Sequence, residues 1–221
     1  MFRPERKEIE EIAKTGKYNV IPVSCEILSD DITPIELMRK LKNVSTHCFL
    51  LESAAKQNIW GRYTFLGFDP KMEITCINGR VKAGDIEFRT DDPSAFIRKI
   101  LAGYKTPKFD YLPSFTGGLV GYFSYDFLGY SEPKVRVDVE DSENFKDIDL
   151  MLFDKVIVFD NFAQKLIIIV NMSLDDVETG YNKAVYEIKN MINLIRYGEK
   201  KIEKPGHLLG KAEPLFDKEK Y

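Results

Sequence analysis

Histidine, tryptophan and cysteine are scarce in this chain: its 221 residues include two histidines, one tryptophan and three cysteines. His47 precedes a strand-like run and His207 lies in a charged tail. Neither stands in a His-Glu-x-x-His or other catalytic spacing, which removes most histidine chemistry. Cys25, Cys48 and Cys76 are far apart, form no Cys-x-x-Cys, and each sits in an apolar run. Free cysteine there behaves as a small core residue. Neither a disulfide framework nor a thiolate metal site is therefore expected, and a reducing, cytoplasmic compartment fits. Charge of one sign is also missing. Lys+Arg 32 against Asp+Glu 35 leaves a net charge of −3, too little to draw in nucleic acid. Long hydrophobic runs are absent as well: the longest, Leu166-Ile167-Ile168-Ile169-Val170, is strand-sized, far from the ~18 residues that span a bilayer. The charged N-terminus lacks the apolar stretch of a signal peptide.

What remains is an ordinary soluble globular composition, 44% hydrophobic and 30% charged, long enough for a sizeable core. Pro4 to Lys14 reads as a helix with Pro4 at its first position, Ile9, Ile12 and Ala13 on one face, and Gly16 as a stop. Asn19 to Ile27 is a β-branched, apolar strand. Asp31 or Thr33 caps a helix opened by Pro34. His47 to Ser53 and Tyr63 to Phe68 read as strands, and Asn78-Gly79 joins Met72–Asn78 to Arg80–Lys82 as a tight hairpin. Ile86-Glu87-Phe88 adds a strand, and Asp92-Pro93 opens a helix. Leu150 to Phe159 and Lys165 to Asn171 read as a hairpin through Asp160-Asn161. Asp175 to Arg196 is the longest helix. Helices scattered among hairpins predict an α+β fold with mainly antiparallel sheets and flanking helices. From Glu199 the chain becomes a charged tail, so residues 1–198 are expected to form the domain and 199–221 a linker.

Several motifs have plain readings. Gly117-Gly118-Leu119-Val120-Gly121 lacks the Gly-Lys-Ser/Thr ending of a phosphate loop. Its glycines are expected to admit a neighbouring backbone or ring, with Tyr122, Phe123 and Tyr125 packing across adjacent strands. No serine lies in Gly-x-Ser-x-Gly. Asp138-Val139-Glu140-Asp141 reads as a solvated loop rather than a metal cage, and Trp60 as loop packing.

The best candidate site combines Leu50-Leu51-Glu52-Ser53 with Gly61-Arg62-Tyr63-Thr64-Phe65-Leu66-Gly67-Phe68-Asp69-Pro70. A buried apolar pair is expected to run into an acid and a hydroxyl, and an arginine opens the next strand. A small pocket framed by Leu50, Leu51, Glu52, Ser53 and Arg62 would suit an α-amino acid. The acid would meet its ammonium, the arginine or hydroxyl its carboxylate, and the leucines its side chain. An ordinary β-hairpin with polar strand ends accounts for the same residues.

These two stretches, with Gly117-Gly118-Leu119-Val120-Gly121-Tyr122-Phe123-Ser124-Tyr125-Asp126 and Phe216 to Tyr221, resemble the N-terminal half of anthranilate synthase component I. The resemblance covers essentially the whole chain. It implies an intact enzyme about twice this length that turns chorismate and ammonia into anthranilate and pyruvate, using Mg2+. Ammonia would come from a partner glutamine amidotransferase subunit, and L-tryptophan would inhibit by feedback. It further implies that the catalytic and metal-binding residues belong to a C-terminal half not in this chain, which alone would be inactive. Tryptophan-binding is thereby assigned to Ser53, with Glu52, Leu51 and Arg62 as neighbours. The large subunit of aminodeoxychorismate synthase shares these features, and a stand-alone amino-acid-binding domain is the reading from another class.

Overall fold

The computed structural model describes residues 1–52, 61–132, 134, 144–202, 204, 206–207, 209–211 and 219. In chain order, β1 (Phe2–Arg3) leads to α1 (Arg6–Lys14), β2 (Val20–Leu28), α2 (Pro34–Val44), β3 (Cys48–Leu51) and β4 (Tyr63–Phe68). Next come β5 (Met72–Ile77), β6 (Arg80–Ala83), β7 (Ile86–Arg89), α3 (Pro93–Ala102) and β8 (Gly118–Phe123). A 3-10 turn at Tyr125–Phe127 runs into the short α4 (Leu128–Ser131). The chain then forms β9 (Ile148–Phe153), β10 (Lys155–Asp160), β11 (Lys165–Ser173) and α5 (Val177–Tyr197). All pairings are antiparallel, in a six-stranded sheet ordered β1-β2-β11-β10-β4-β3 and a five-stranded sheet ordered β7-β6-β5-β9-β8. The expected α+β class with antiparallel sheets is what the chain adopts.

Local chemistry sets the helix starts. Thr33 and Glu36 form a reciprocal capping box at α2, with Pro34 at its first position. Asp92 and Asp176 cap α3 and α5 by accepting from Ala95 N and Thr179 N. α1 begins two residues later than expected. Phe2 and Arg3 pair with Cys25 and Ser24, so Pro4 leaves a strand instead of opening a helix.

One face of the six-stranded sheet carries the main core, where Ile21, Leu66, Ile157, Leu166 and Ile168 meet Ile9, Leu37, Leu41 and Ile188 of the helices. Lys40, buried on α2, donates to the carbonyls of Ile195 and Arg196 and so caps the end of α5. Cys25 and Cys76 are buried and Cys48 half-buried, all free, as core residues. The opposite face gathers Val156, Val158, Ile167 and Ile169 with Tyr63, Phe65 and Phe115. Phe49 reaches from β3 to Phe153 of β9 with ring centres 4.7 Å apart, in an edge contact between strands of the two sheets.

Three expectations are corrected. Leu150 to Phe159 is not one strand: the chain leaves the five-stranded sheet at Phe153 and enters the six-stranded one at Lys155. The alternating burial of β9 and the continuous burial of β10 reflect one-sided and two-sided coverage. The β10–β11 turn lies beyond Asp160, which pairs with Lys165 inside the ladder. Tyr122, Phe123 and Tyr125 do not pack across neighbouring strands. Tyr122 and Phe123 are exposed because β8, at the edge of its sheet, has a neighbouring strand on one side only, and Tyr125 lies beyond β8 in the 3-10 turn.

Candidate functional site

Arg62 stands immediately before β4, and its surroundings are built by β10 and the turn that follows. Asp160, the last residue of β10, lies directly across from Tyr63. Asn161 closes the junction: its N–H donates to Arg62 O at 2.8 Å, and its side-chain amide to Gly61 O and Thr64 Oγ1. Arg62 grips Asp160 with two nitrogens. Nη2 donates to Oδ2 at 2.7 Å, and Nε lies 3.1 Å from Oδ1 and 3.2 Å from Oδ2. This is the fork geometry that makes arginine–carboxylate pairs directional. Oδ1 also accepts from the N–H groups of Phe162 and Ala163. The guanidinium carbon lies 4.8 Å from the Tyr63 ring centre and 6.0 Å from that of Phe162.

The electrostatics follow from burial. Asp160 is only 4% exposed, whereas the Arg62 side chain is 45% exposed. Burial pushes the Asp160 carboxyl up, but the bonds from Arg62, Ala163 and Phe162 outweigh it and hold the group below its ordinary value. Asp160 in turn raises the Arg62 guanidinium. Burial raises the Tyr63 hydroxyl against the opposing pull of Arg62.

The other sequence-predicted residues divide. Leu50 and Leu51 are not a buried pair. Successive strand residues face opposite ways, so Leu50 is half-buried on the main core while Leu51 is 49% exposed. Glu52 is exposed just beyond the end of β3. Ser53 and Trp60 lie outside the described residues, as does the acidic segment 138–141. What the structure brings together is therefore Arg62 with Asp160, Tyr63 and Phe162. Asp160 and Phe162 were missed because their turn read as plain hairpin chemistry. The signal available was an acid and an aromatic bracketing Asn161 at the end of a buried strand.

The glycine run behaves as a close-approach element: a Cβ on Gly121 would fall 1.9 Å from Asp149 O. Among the described residues no group of three or more His, Cys, Asp or Glu side chains is placed to hold a metal ion. Among those residues no helix is long and apolar enough to cross a membrane.

No family model matches the chain. Whole-sequence similarity is informative. "Anthranilate synthase component 1" of Acetivibrio thermocellus is 34% identical over 196 residues, covering 86% of this chain and 39% of that protein. The protein of the same name from Pseudomonas putida is 38% identical over 202 residues, with the same coverage. That of Saccharomyces cerevisiae is 32% identical over 194 residues, 85% of this chain and 37% of its own. A crystal structure of anthranilate synthase component I from Streptococcus pneumoniae TIGR4 aligns with 77% of this chain and 38% of its own, at TM-score 0.47 and 22% identity. The chain spans about two fifths of the length of the curated relatives it matches. With 32–38% identity recurring over most of its residues across bacterial, fungal and plant proteins, it belongs to the anthranilate synthase component 1 family.

Proposed function

We propose that this chain is the N-terminal, effector-sensing part of an anthranilate synthase component I. The intact enzyme converts chorismate and ammonia to anthranilate and pyruvate and answers to L-tryptophan. The observation that carries this reading is the identity to component 1 proteins, sustained over 82–94% of the chain. On this reading residues 1–198 are the sensing domain, and the chain alone is inactive. Mg2+ and the catalytic groups belong to polypeptide outside it, and a glutamine amidotransferase subunit supplies ammonia in the cytoplasm.

Tryptophan would seat its ammonium and carboxylate among Glu52, Ser53 and Arg62. The Arg62 guanidinium supports this assignment, because it is half-exposed and, among the described residues, hydrogen-bonded only along its Nε–Nη2 edge. A ligand seated where two domains meet shifts their relative populations, which is how binding here would inhibit chemistry elsewhere.

The test is to express the reading frame that contains this chain together with its continuation, and to follow anthranilate fluorescence from chorismate and ammonium. Tryptophan-sensitive formation of anthranilate is expected. Ser53→Phe, which fills the ring space, should abolish the inhibition with little loss of rate. Retained inhibition in that variant overturns the site, and failure to form anthranilate overturns the activity.

A further inference from the structure

Arg62 is far more constrained than an exposed arginine needs to be. A surface arginine ordinarily keeps its rotamer freedom and loses much of it when it grips a ligand. Here Nε and Nη2 are held on a carboxylate that is itself fixed by two backbone N–H groups, at 3.2 Å from Phe162 and 3.0 Å from Ala163. The rings of Tyr63 and Phe162 flank the guanidinium. Nη1 and the remaining proton of Nη2 have no hydrogen-bond partner among the described residues, and the side chain is 45% exposed. Among the described residues one edge of the fork is thus locked and the other is free.

We infer that Asp160 is a positioning residue for Arg62, fixing its guanidinium so that the free edge is presented ready-aligned to the carboxylate of an amino-acid ligand. The inference rests on the effector reading proposed above. Asp160 does not itself touch the ligand. It acts by removing the ordering penalty that a free arginine would incur on binding, which is how preorganisation raises affinity. The Asn161–Gln164 turn is part of the device, because its N–H groups hold Asp160 and its Phe162 ring, 82% exposed, borders the guanidinium. The chemical class of ligand follows from the donor set. A planar, singly charged carboxylate matches the free edge, and an amine offers it nothing.

The experiment follows the Arg62 Nε–H signal of the 15N-labelled chain, expressed with its continuation, by NMR during titration to millimolar L-tryptophan or tryptamine, which keeps the indole but lacks the carboxylate. In the unsubstituted chain the signal should exchange slowly with water and move with tryptophan but not with tryptamine. In Asp160→Asn the exchange should quicken. The tryptophan concentration giving the same movement should rise roughly tenfold, the scale at which removing an orienting partner acts in metal sites. Asp160→Glu keeps the charge but displaces the carboxylate by one methylene, and should show the same quickening if the Asn variant fails to fold. A folded Asp160→Asn chain with unchanged exchange and unchanged tryptophan response overturns the inference. Equal movement with both ligands, or with neither, instead overturns the carboxylate-binding reading of Arg62, while the exchange rates still decide whether Asp160 orients it.

Discussion

Asp160 carries a consequence for stability as well as for the site. It is buried, and its folded carboxyl titrates below the ordinary value of 3.8. A carboxylate depressed by folding contributes stability above its unfolded pKa and loses it as pH falls through the folded one. The melting temperature of the unsubstituted chain should therefore exceed that of Asp160→Asn by a constant margin at pH 5 to 7. The margin should shrink as pH drops below about 4, where the carboxyl gains a proton. Melting curves of both proteins across that range check it, and a margin that persists at pH 2 would deny the ion pair this role. The same residue marks a limit of reading sequence. Arg62 was legible as a candidate because it opens a strand beside Leu50-Leu51-Glu52-Ser53. Its partner lies 98 positions away, and no local period or spacing connects the two. Only the pairing of β4 with β10 places them side by side.

At the level of elements, most of what the residues announced came from short-range chemistry. Thr33-Pro34, Asp92-Pro93 and Asn78-Gly79 each act within four residues, and each appears where it was expected, whereas the Glu36 half of the α2 capping box and the Asp176 cap of α5 emerge only in the structure. The break at Asp154 was harder to see, since apolar residues lie on both sides and the change of sheet is a tertiary event. Two glycines separate rigid from yielding packing. A Cβ on Gly121, whose φ is 155°, would meet the backbone oxygen of Asp149 at 1.9 Å. One on Gly67 would meet the Phe49 ring at 2.1 Å. A backbone oxygen held in the β8–β9 ladder cannot withdraw without breaking that ladder, whereas a ring can turn aside. Gly121→Ala should cost about 3 kcal/mol or more, and Gly67→Ala about half as much, within the range of core strain and overpacking. Urea unfolding of the two variants measures the order. The reverse order would mean that Phe49, not the β8–β9 ladder, is the rigid member.

At the level of the whole molecule, individual edge strands differ in how they are protected. β1 has only two residues and runs into Pro4, and β7 carries Glu87 and Arg89. β8, Gly-Leu-Val-Gly-Tyr-Phe, has neither charge nor proline. Around it Tyr122, Phe123, Tyr125 and Leu128 are 40–83% exposed, and Phe123 and Phe127 line an open cavity of about 440 Å³ with Ile97. An uncharged edge strand beside exposed rings is a template for pairing with another chain, and proteins ordinarily blunt such edges with charge. The isolated chain should therefore associate as its concentration rises. Tyr122→Lys adds the missing charge on an exposed side chain, and should shift the association to at least tenfold higher concentration without lowering the melting temperature. Sedimentation velocity across a concentration series reads both species. An unsubstituted chain that stays monomeric at several hundred micromolar would show that the β8 edge is already protected.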